Sequence, residues 1–355
     1  MIDFGVNYKA AQRLRLSETL YRMEDGHYQF KYPPFAAFLY LPLSLLPFAW
    51  AKAIWYFVVL FSSVLVFYLS KKLVNQGRDR GLGLALFPPL VLAKYFLREL
   101  QLGQINAFLT LVFLIMVWLF LSGERLSSLS QERWAGGLWG LATALKPYAL
   151  VFLPYFPLKK KWQALAPGLL LLLLALMAPS LFYGFPGNWA VLKEWISTLS
   201  KSTPPLFTSQ DNISLVAFWM KWTGDRKLSL ILFSVVIVLL AVYFLFLVLK
   251  GRKLPRSLIL ESSILLILIP LISPLGWDYT LLSSALGVTI IFHYFARFPK
   301  FWRIVLGLNF CVIAFSLYDL LGRNLYSVFM SWSVPTLNFM ILIGALSYLR
   351  MKSYC

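Results

Sequence analysis

Charged residues are scarce in this sequence, and acidic ones are the scarcest. Only 13% of its 355 residues are charged, with 14 Asp or Glu against 33 Lys or Arg, whereas about a quarter of the residues of an average soluble domain are charged. Hydrophobic residues make up 60% of the chain and recur in runs of about twenty, each long enough to cross roughly 30 Å of hydrocarbon. This composition excludes a soluble protein. It predicts an all-α, polytopic membrane protein whose residues 1–355 form one domain.

Cysteine and histidine are also rare, with two residues of each. Cys311 lies inside an apolar run, where a thiol behaves as a small hydrophobe, and Cys355 is far from it along the chain. Neither a disulfide framework nor a cysteine metal site is therefore expected. The net charge of +19 is typical of nucleic-acid binders, but the basic residues stand in short clusters between apolar runs. That pattern sets membrane topology, so no nucleic-acid partner is predicted.

The apolar runs predict about nine spanning helices. A short helix from Phe35 to Leu46 contains Pro42, and we expect it to lie in the membrane interface rather than to span. A second polar region, 184–227, is predicted to be an outer loop with a short surface helix at 212–222. The predicted spans are 51–70, 81–97, 103–121, 162–183, 228–249, 258–273, 279–295, 304–320 and 335–349.

The segment from Trp134 to Leu158 breaks this alternation. A single span here would place the polar stretch before it and the basic run 159–161 on opposite faces of the membrane. Lys146-Pro147 falls at its middle, and proline interrupts a helix. We therefore predict a re-entrant hairpin of two half-length helices that meet at Lys146, a form tolerated where the exposed backbone lines a cavity in the protein.

The first 34 residues are the only long polar stretch before the chain turns apolar. The excess of Lys and Arg in the connectors assigned to the cytoplasm favours an extracytoplasmic start and a cytoplasmic C-terminus. Residues 1–50 are thus predicted to be an extracytoplasmic catalytic loop with its interfacial helix, and 51–350 a transmembrane bundle.

Four stretches of the chain resemble glycosyltransferase family 87, whose members are polytopic C-type transferases that use polyprenyl-phosphate sugars. Together they extend over roughly the first 280 residues, and their order relative to the spans is more specific than any one of them. They are Asp3-Phe4 with Tyr8 and Ala10-Ala11 leading to Tyr32-Pro33-Pro34; Gly103-Gln104-Ile105-Asn106; Ala135-Gly136 through Leu145-Lys146-Pro147; and Pro274 to Trp277-Asp278.

The resemblance implies that the essential acid, which in that family lies in the loop before the second span, is Asp3. A spanning helix precedes this loop in the family, whereas here the chain begins two residues before the Asp. We expect a misassigned start or a fragment, and a chain that lacks the helix is the alternative. An in-frame hydrophobic stretch upstream in the coding region would decide between them.

Transfer from a polyprenyl phosphate requires a base for the acceptor hydroxyl and cations at the phosphate, because the phosphate is already a competent leaving group. Asp is ionised at neutral pH, so Asp3 is the predicted base, and it would also stabilise positive charge at the sugar carbon. An Arg or a Lys near the membrane surface suits a phosphate. The predicted donor-phosphate ligands are Arg98 and Lys146, and the predicted sugar or acceptor ligands are Gln104, Asn106, Trp277, Asp278, His27 and Tyr32.

Each assignment has a structural alternative. Asp3 would otherwise be a solvated carboxylate or a helix cap, with Glu24 and Asp25 as the other acids of the same segment. Arg98 would snorkel to the interface beside Glu99. Lys146 would end an ordinary helix. The remaining alternatives are a surface histidine for His27, and an aromatic-belt residue and a helix cap for Trp277 and Asp278. Asn212 and Ser214 match a weaker pattern of the family, and Glu261 is expected to be structural.

Asp-x-Asp, glycine-rich phosphate loop and zinc motifs are missing from the sequence, which disfavours a nucleotide-sugar donor. Neither a cofactor nor a metal is expected. The resemblance predicts a hexosyltransferase of the inner membrane, with mannose as the expected sugar and a glycolipid or glycan acceptor among membrane lipids, acting on the extracytoplasmic face. Two rivals stay open. One is a transporter or flippase with buried charges at Lys94, Lys146 and Asp319, and the other is a non-catalytic relative.

Overall fold

The computed structural model describes residues 1–75, 81–126, 129–250 and 257–352, and the regular structure in these ranges is helical, apart from an isolated bridge between Asn212 and Trp277. The predicted all-α class is confirmed. The α-helices are α1 Ile2–Arg15, α2 Leu41–Ser44, α3 Phe48–Val74, α4 Gly81–Val91, α5 Ala93–Leu102, α6 Asn106–Leu126, α7 Leu129–Leu145, α8 Tyr155–Leu158, α9 Trp162–Met177, α10 Ser180–Ser202, α11 Leu215–Thr223, α12 Arg226–Leu249, α13 Ser257–Ile272, α14 Ala285–His293, α15 Lys300–Phe315, α16 Tyr318–Ser331 and α17 Val334–Met351. Short 3₁₀ helices cover Met23–Tyr28, Pro34–Tyr40, Pro147–Phe152, Pro204–Leu206, Asp278–Ser284 and Phe295–Arg297.

Residue contacts divide the chain into two compact units. The first unit consists of Met1–Ser63 and Arg98–Pro204, and the second of Val64–Leu97 and Pro205–Cys355. Each unit has its own buried core.

Three helices of the described residues, α3, α12 and α17, are long and apolar enough to span a membrane. Two helix pairs reach that length only if each is counted as one bent span: α9 with α10, which bend by 87°, and α15 with α16, which bend by 106°. By length and composition, between three and five spans are therefore supported. The predicted number of about nine stays a prediction, because several apolar runs form helices of fewer than 18 residues.

The polar N-terminal segment begins with a helix rather than an irregular loop. Asp3 lies in the first turn of α1, and Arg13 and Arg15 lie in its last turn, so charges of both signs complement the helix dipole. Phe4 and Leu14 are fully buried on one side of this helix. The end charges and the apolar residues of this helix were visible in the sequence, but the low overall hydrophobicity of the stretch favoured a loop.

An aromatic cluster anchors α1 in the first unit. The ring of Phe4 packs against Tyr40, Phe48 and Trp55 at centroid distances of 5.9–6.2 Å. The Tyr8 hydroxyl donates to the carbonyl of Leu46 at 2.7 Å. Because buried aromatic side chains contribute large apolar areas and prefer such tilted or offset contacts, this cluster fixes α1 against the segment 34–55.

Helices α7 and α9 approach each other through small residues. An added Cβ at Gly136 would lie 2.0 Å from the Ala164 carbonyl oxygen, and one at Gly140 would lie 2.6 Å from that of Gly168. Both helices thus carry small residues four positions apart, a spacing that lets helix backbones touch. This contact holds the arm that leads to Lys146.

We expect Gly136→Ala to destabilise the first unit and Gly137→Ala to leave it unchanged or slightly more stable. Both changes add a methyl group and raise helix propensity by about 1 kcal/mol, but only the first collides with backbone, while nothing lies within 4 Å of a Cβ at Gly137. Overpacking of this kind costs about 1–3 kcal/mol. Thermal unfolding of the two variants in detergent measures the difference, and equal midpoints would contradict the close packing.

The second unit is organised around α13, whose residues from Ser257 to Leu271 are buried. Glu261 accepts two bonds from the Arg350 guanidinium of α17, at 2.8 and 2.7 Å, and both side chains are almost fully buried. Glu261 thus has the partner that its predicted structural role requires. Lys94 donates to the carbonyl and hydroxyl oxygens of Ser316, the C-cap of α15, where a cation stabilises the exposed carbonyl ends of a helix.

Candidate active site

The turn between α5 and α6 brings the start of the chain close to Gln104. Gly103 ends α5 with φ at +72°, the left-handed conformation that favours glycine. A Cβ at this position would lie 2.9 Å from that of Phe4 and 3.1 Å from that of Met1. The Trp55 indole nitrogen donates to the Gly103 carbonyl at 2.8 Å. The first turn of α1, which carries Asp3, is therefore packed directly on this turn.

Asp3, Gln104 and Tyr32 form one hydrogen-bonded chain. The Gln104 amide nitrogen donates to Oδ2 of Asp3, and its Oε1 accepts from the Tyr32 hydroxyl at 3.0 Å. Gln104 is 4% exposed. Burial raises the pKa of Tyr32, so its hydroxyl keeps the proton that it donates. The two partners fix the orientation of the Gln104 amide, which in turn positions the Asp3 carboxylate.

The helical conformation is interrupted at Lys146, where the sequence predicted the tip of a hairpin. Helix α7 ends at Leu145, Lys146 is extended, and a 3₁₀ helix begins at Pro147. The Trp139 indole donates to the Ala149 carbonyl at 2.9 Å, so the second arm folds back on α7. That arm is a 3₁₀ helix followed by the short α8, rather than a second half-length α-helix.

Lys146 points into the same network. Its Nζ donates to Oδ1 of Asn106 at 2.7 Å and lies 4.9 Å from the centre of the Tyr32 ring. The Asn106 amide nitrogen is 3.5 Å from Oε1 of Gln104, a marginal contact by hydrogen-bond criteria. Tyr32, Gln104, Asn106 and Lys146, which were predicted separately, thus converge with Asp3 in one cluster.

The cluster contains one carboxylate that sequence reasoning did not assign to it. Glu99 is fully buried, and it accepts from the Asn106 amide at 3.0 Å and from the Ala107 backbone N–H at 2.8 Å. Burial raises the pKa of Glu99 to about 7, although these hydrogen bonds and the charge of Lys146 lower it. A Glu shortly before the N-terminus of an apolar helix was the available signal, because carboxylates suit the free N–H groups there.

Asp25 and Glu24 differ from Asp3 in their surroundings. Asp25 receives two hydrogen bonds from the Arg13 guanidinium, at 2.5 and 2.8 Å, and this partner lowers the pKa of Asp25. Glu24 is exposed. Asp25 therefore ties its segment to α1, whereas Asp3 bonds to Gln104 in the cluster.

The structure describes the other predicted ligands separately from this cluster. Arg98 is half-buried on α5, next to Glu99, and the side chain of His27 lies outside the described residues. Trp277 and Asp278 belong to the second unit, where Asp278 is 2% exposed and accepts from the backbone N–H of Tyr279.

Asn212 and Ser214, the weaker candidates, hold the turn that precedes Trp277. The Asn212 amide donates to the Pro274 carbonyl at 3.1 Å and accepts from the Gly276 N–H at 3.1 Å. A Cβ at Gly276 would lie 1.9 Å from the Pro270 carbonyl, so this turn requires glycine. Asn212 and Ser214 thus have a structural role, because both bond to the backbone of this turn.

In chemical terms, the cluster offers two carboxylates, Asp3 and Glu99, and an ammonium group, together with two amides and a phenol. Such a preorganised set can accept a proton at one end and stabilise an anion at the other. In the part of the chain that the structure describes, no group of three or more His, Cys, Asp or Glu side chains has the arrangement of a metal site.

The model of glycosyltransferase family 87 matches residues 30–274, more than half of the chain. Tyr32, Glu99, Gln104, Asn106 and Lys146 fall within the match, and Asp3 precedes it. A curated relative, the polyprenol-phosphate-mannose-dependent alpha-(1-2)-phosphatidylinositol pentamannoside mannosyltransferase of Mycolicibacterium smegmatis, is 30% identical over 139 residues, which are 39% of this chain and 31% of the relative. The chain thus aligns with about a third of that relative's length. No solved structure matches. The family match, together with the clustering of residues from three of the four resembling stretches, shows that the chain belongs to glycosyltransferase family 87.

Proposed function

We propose that this chain is a membrane glycosyltransferase that moves a hexose, mannose in the first instance, from a polyprenyl phosphate to a hydroxyl of a glycolipid acceptor. The observation that carries the proposal is that Asp3 and Lys146, the predicted base and phosphate ligand, meet in one network with Gln104 and Asn106. The donor class and the sugar are supported by the similarity to the mycobacterial mannosyltransferase, which depends on polyprenol-phosphate mannose.

In the proposed reaction the acceptor oxygen attacks the sugar carbon while the bond from that carbon to the phosphate oxygen breaks. The acceptor proton passes to the Asp3 carboxylate, whose Oδ2 is held by Gln104, and the polyprenyl phosphate leaves as an anion beside Lys146. Aligning the reactants and neutralising the leaving group are the main tasks, because the phosphate leaves readily.

The same cluster supports roles for its amides. Gln104 and Asn106 present donors and acceptors at a site where sugar hydroxyls need both, and Tyr32 contributes a ring face next to Lys146. Arg98, His27, Trp277 and Asp278 stay proposed ligands of the phosphate, the sugar or the acceptor. A lipid-borne donor that enters from the bilayer fits a chain with spanning helices, and we place the reaction on the extracytoplasmic face of the inner membrane.

A transfer assay tests this function directly. Proteoliposomes that contain the full chain receive radiolabelled polyprenyl-phosphate mannose and a crude extract of membrane glycolipids as acceptors. We expect label to move into the glycolipid fraction with this donor and not with GDP-mannose. Transfer from GDP-mannose alone, or release of label only as free mannose, would contradict the proposal. Uptake of donor-free sugar or lipid by the same vesicles would support the transporter instead.

A further inference from the structure

The first unit contains a cleft lined by charged, hydroxyl and apolar groups, separate from the Asp3 cluster. Its volume is about 360 Å³, large enough for a phosphorylated sugar or polyol. Helix α10 supplies one wall, and Tyr21 and Met23 supply the other. The residues of α10 that line the cleft are Lys193, Glu194, Ser197, Thr198 and Lys201.

The side chains in the cleft match a phosphate that carries hydroxyl groups. Lys193 and Lys201, both exposed, lie eight residues apart on one side of α10, and ammonium groups bind phosphate oxygens. Between them, Ser197 offers a hydroxyl, and Oε2 of Glu194 is buried without a hydrogen-bond partner among the described residues. A buried carboxylate oxygen without a donor is costly, and a ligand hydroxyl would supply one.

The apolar and basic side chains of helix α10 are also distributed as in a helix that lies in the membrane interface. It bends by 87° from α9, and its large apolar side chains Phe185, Trp189 and Ile196 are 75%, 63% and 63% exposed. Lys193 borders this apolar side, with its Nζ 5.4 Å from the ring of Trp189. Helices with an exposed apolar face flanked by lysines lie in the plane of the membrane interface. The cleft would then open at the depth of lipid headgroups.

A short path of contacts joins the cleft to the Asp3 cluster. The hydroxyl of Tyr21, a cleft residue, donates to the backbone carbonyl of Tyr32 at 2.8 Å, and the Tyr32 hydroxyl bonds to Gln104. Nearby, the Tyr183 hydroxyl of α10 donates to the Glu18 carbonyl at 2.7 Å. The wall of the cleft and the proposed reaction site therefore share one segment of backbone.

From these observations we infer that the cleft binds the polyhydroxylated headgroup of an anionic phospholipid. We further infer that this phospholipid is the lipid portion of the acceptor. Lys193 and Lys201 hold the phosphate, while Ser197 and Glu194 bond to hydroxyls. The glycan of the acceptor extends past Tyr21 toward Asp3. The assignment of the lipid as acceptor rests on the proposed function, whereas the headgroup site itself does not.

Binding of a short-chain lipid tests the site without any catalysis. The detergent-solubilised full chain is titrated with dihexanoyl phosphatidylinositol, and dihexanoyl phosphatidylcholine serves as the comparison lipid. We expect the inositol lipid to bind at least about tenfold more tightly, and the double variant Lys193→Glu, Lys201→Glu to lose this preference because it reverses both charges at the phosphate. Both lysines are exposed, so folding should be retained, which gel filtration verifies.

The matched control is Lys160→Glu, Lys227→Glu, which changes the net charge equally at two exposed lysines outside the cleft. It should bind as the wild type does. Equal loss in both double variants, or no preference over phosphatidylcholine in the wild type, would overturn the inference. Inositol phosphate binding as tightly as the lipid would overturn the assignment to a lipid.

A kinetic comparison then tests the assignment to the acceptor. In the transfer assay with phosphatidylinositol mannosides, the cleft variant should raise the KM for the acceptor about tenfold or more and leave the KM for the polyprenyl-phosphate donor unchanged. Lipid binding without this KM change would overturn the acceptor assignment. Lipid binding in a protein that transfers no sugar would overturn the proposed function and keep the headgroup site, so the two failures are distinguishable.

Discussion

Asp3→Asn is expected to reduce sugar transfer by about 10²–10⁴-fold, the usual contribution of a positioned general base. The asparagine oxygen retains the place of Oδ2 and can still accept from the Gln104 amide, so the fold of the cluster is preserved. What disappears is the negative charge and the capacity to take the acceptor proton. The measurement is the single-turnover rate in proteoliposomes with saturating polyprenyl-phosphate mannose and acceptor.

Glu24→Gln is the matched control for this experiment. It removes a carboxylate from the same N-terminal segment, but Glu24 is exposed and lies outside the cluster. Its rate should equal that of the wild type. Asp3→Asn with nearly full activity would remove Asp3 from the proposed role, and a large loss in Glu24→Gln would point to the other acid.

Lys146→Met is expected to lower transfer by about 10²–10³-fold, the effect of losing one preorganised group that stabilises a developing anion. Methionine keeps most of the side-chain volume but removes the charge and the hydrogen bond to Asn106. Nζ of Lys146 donates to Asn106 at 2.7 Å and faces Tyr32. Among the residues described in this cluster, Lys146 is the one lysine. The rate should fall for every sugar tested, since the phosphate is common to all donors.

The control for this variant is Lys161→Met. Lys161 is also a buried lysine of the first unit, but it pairs with Glu132 at 3.1 Å, outside the cluster. Removing it should lower the unfolding temperature, because it leaves Glu132 without this partner, while the transfer rate per folded molecule stays near that of the wild type. Similar activity losses in both variants would show that Lys146 acts on stability alone.

Local sequence features predicted part of the site. A lysine followed by a proline inside an apolar run predicted a helix break at Lys146, because a buried charge needs a partner and proline interrupts the helix. The Asp3–Gln104 contact depends instead on the left-handed turn at Gly103, which packs residues a hundred positions apart. Only the resemblance to a family placed these two residues in one site beforehand.

Glu99 shows where such reasoning ends. In the sequence it was named only as a neighbour of Arg98, and the structure shows it buried and held by Asn106 and Ala107. The direction in which a helical side chain points depends on the packing of α5, which periodicity alone does not define. The bends of 87° and 106° within apolar runs are likewise tertiary features, so the runs predicted the helices, while the number of spans stays a prediction.

Main-chain contact between α7 and α9 limits how far the site can move when substrates exchange. The arm that ends at Lys146 rests on a neighbouring backbone through Gly136 and Gly140, so it has almost no room to rock without a collision. We therefore expect the Lys146 ammonium group to be a fixed reference point of the site, so that the leaving phosphate must come to it rather than the reverse.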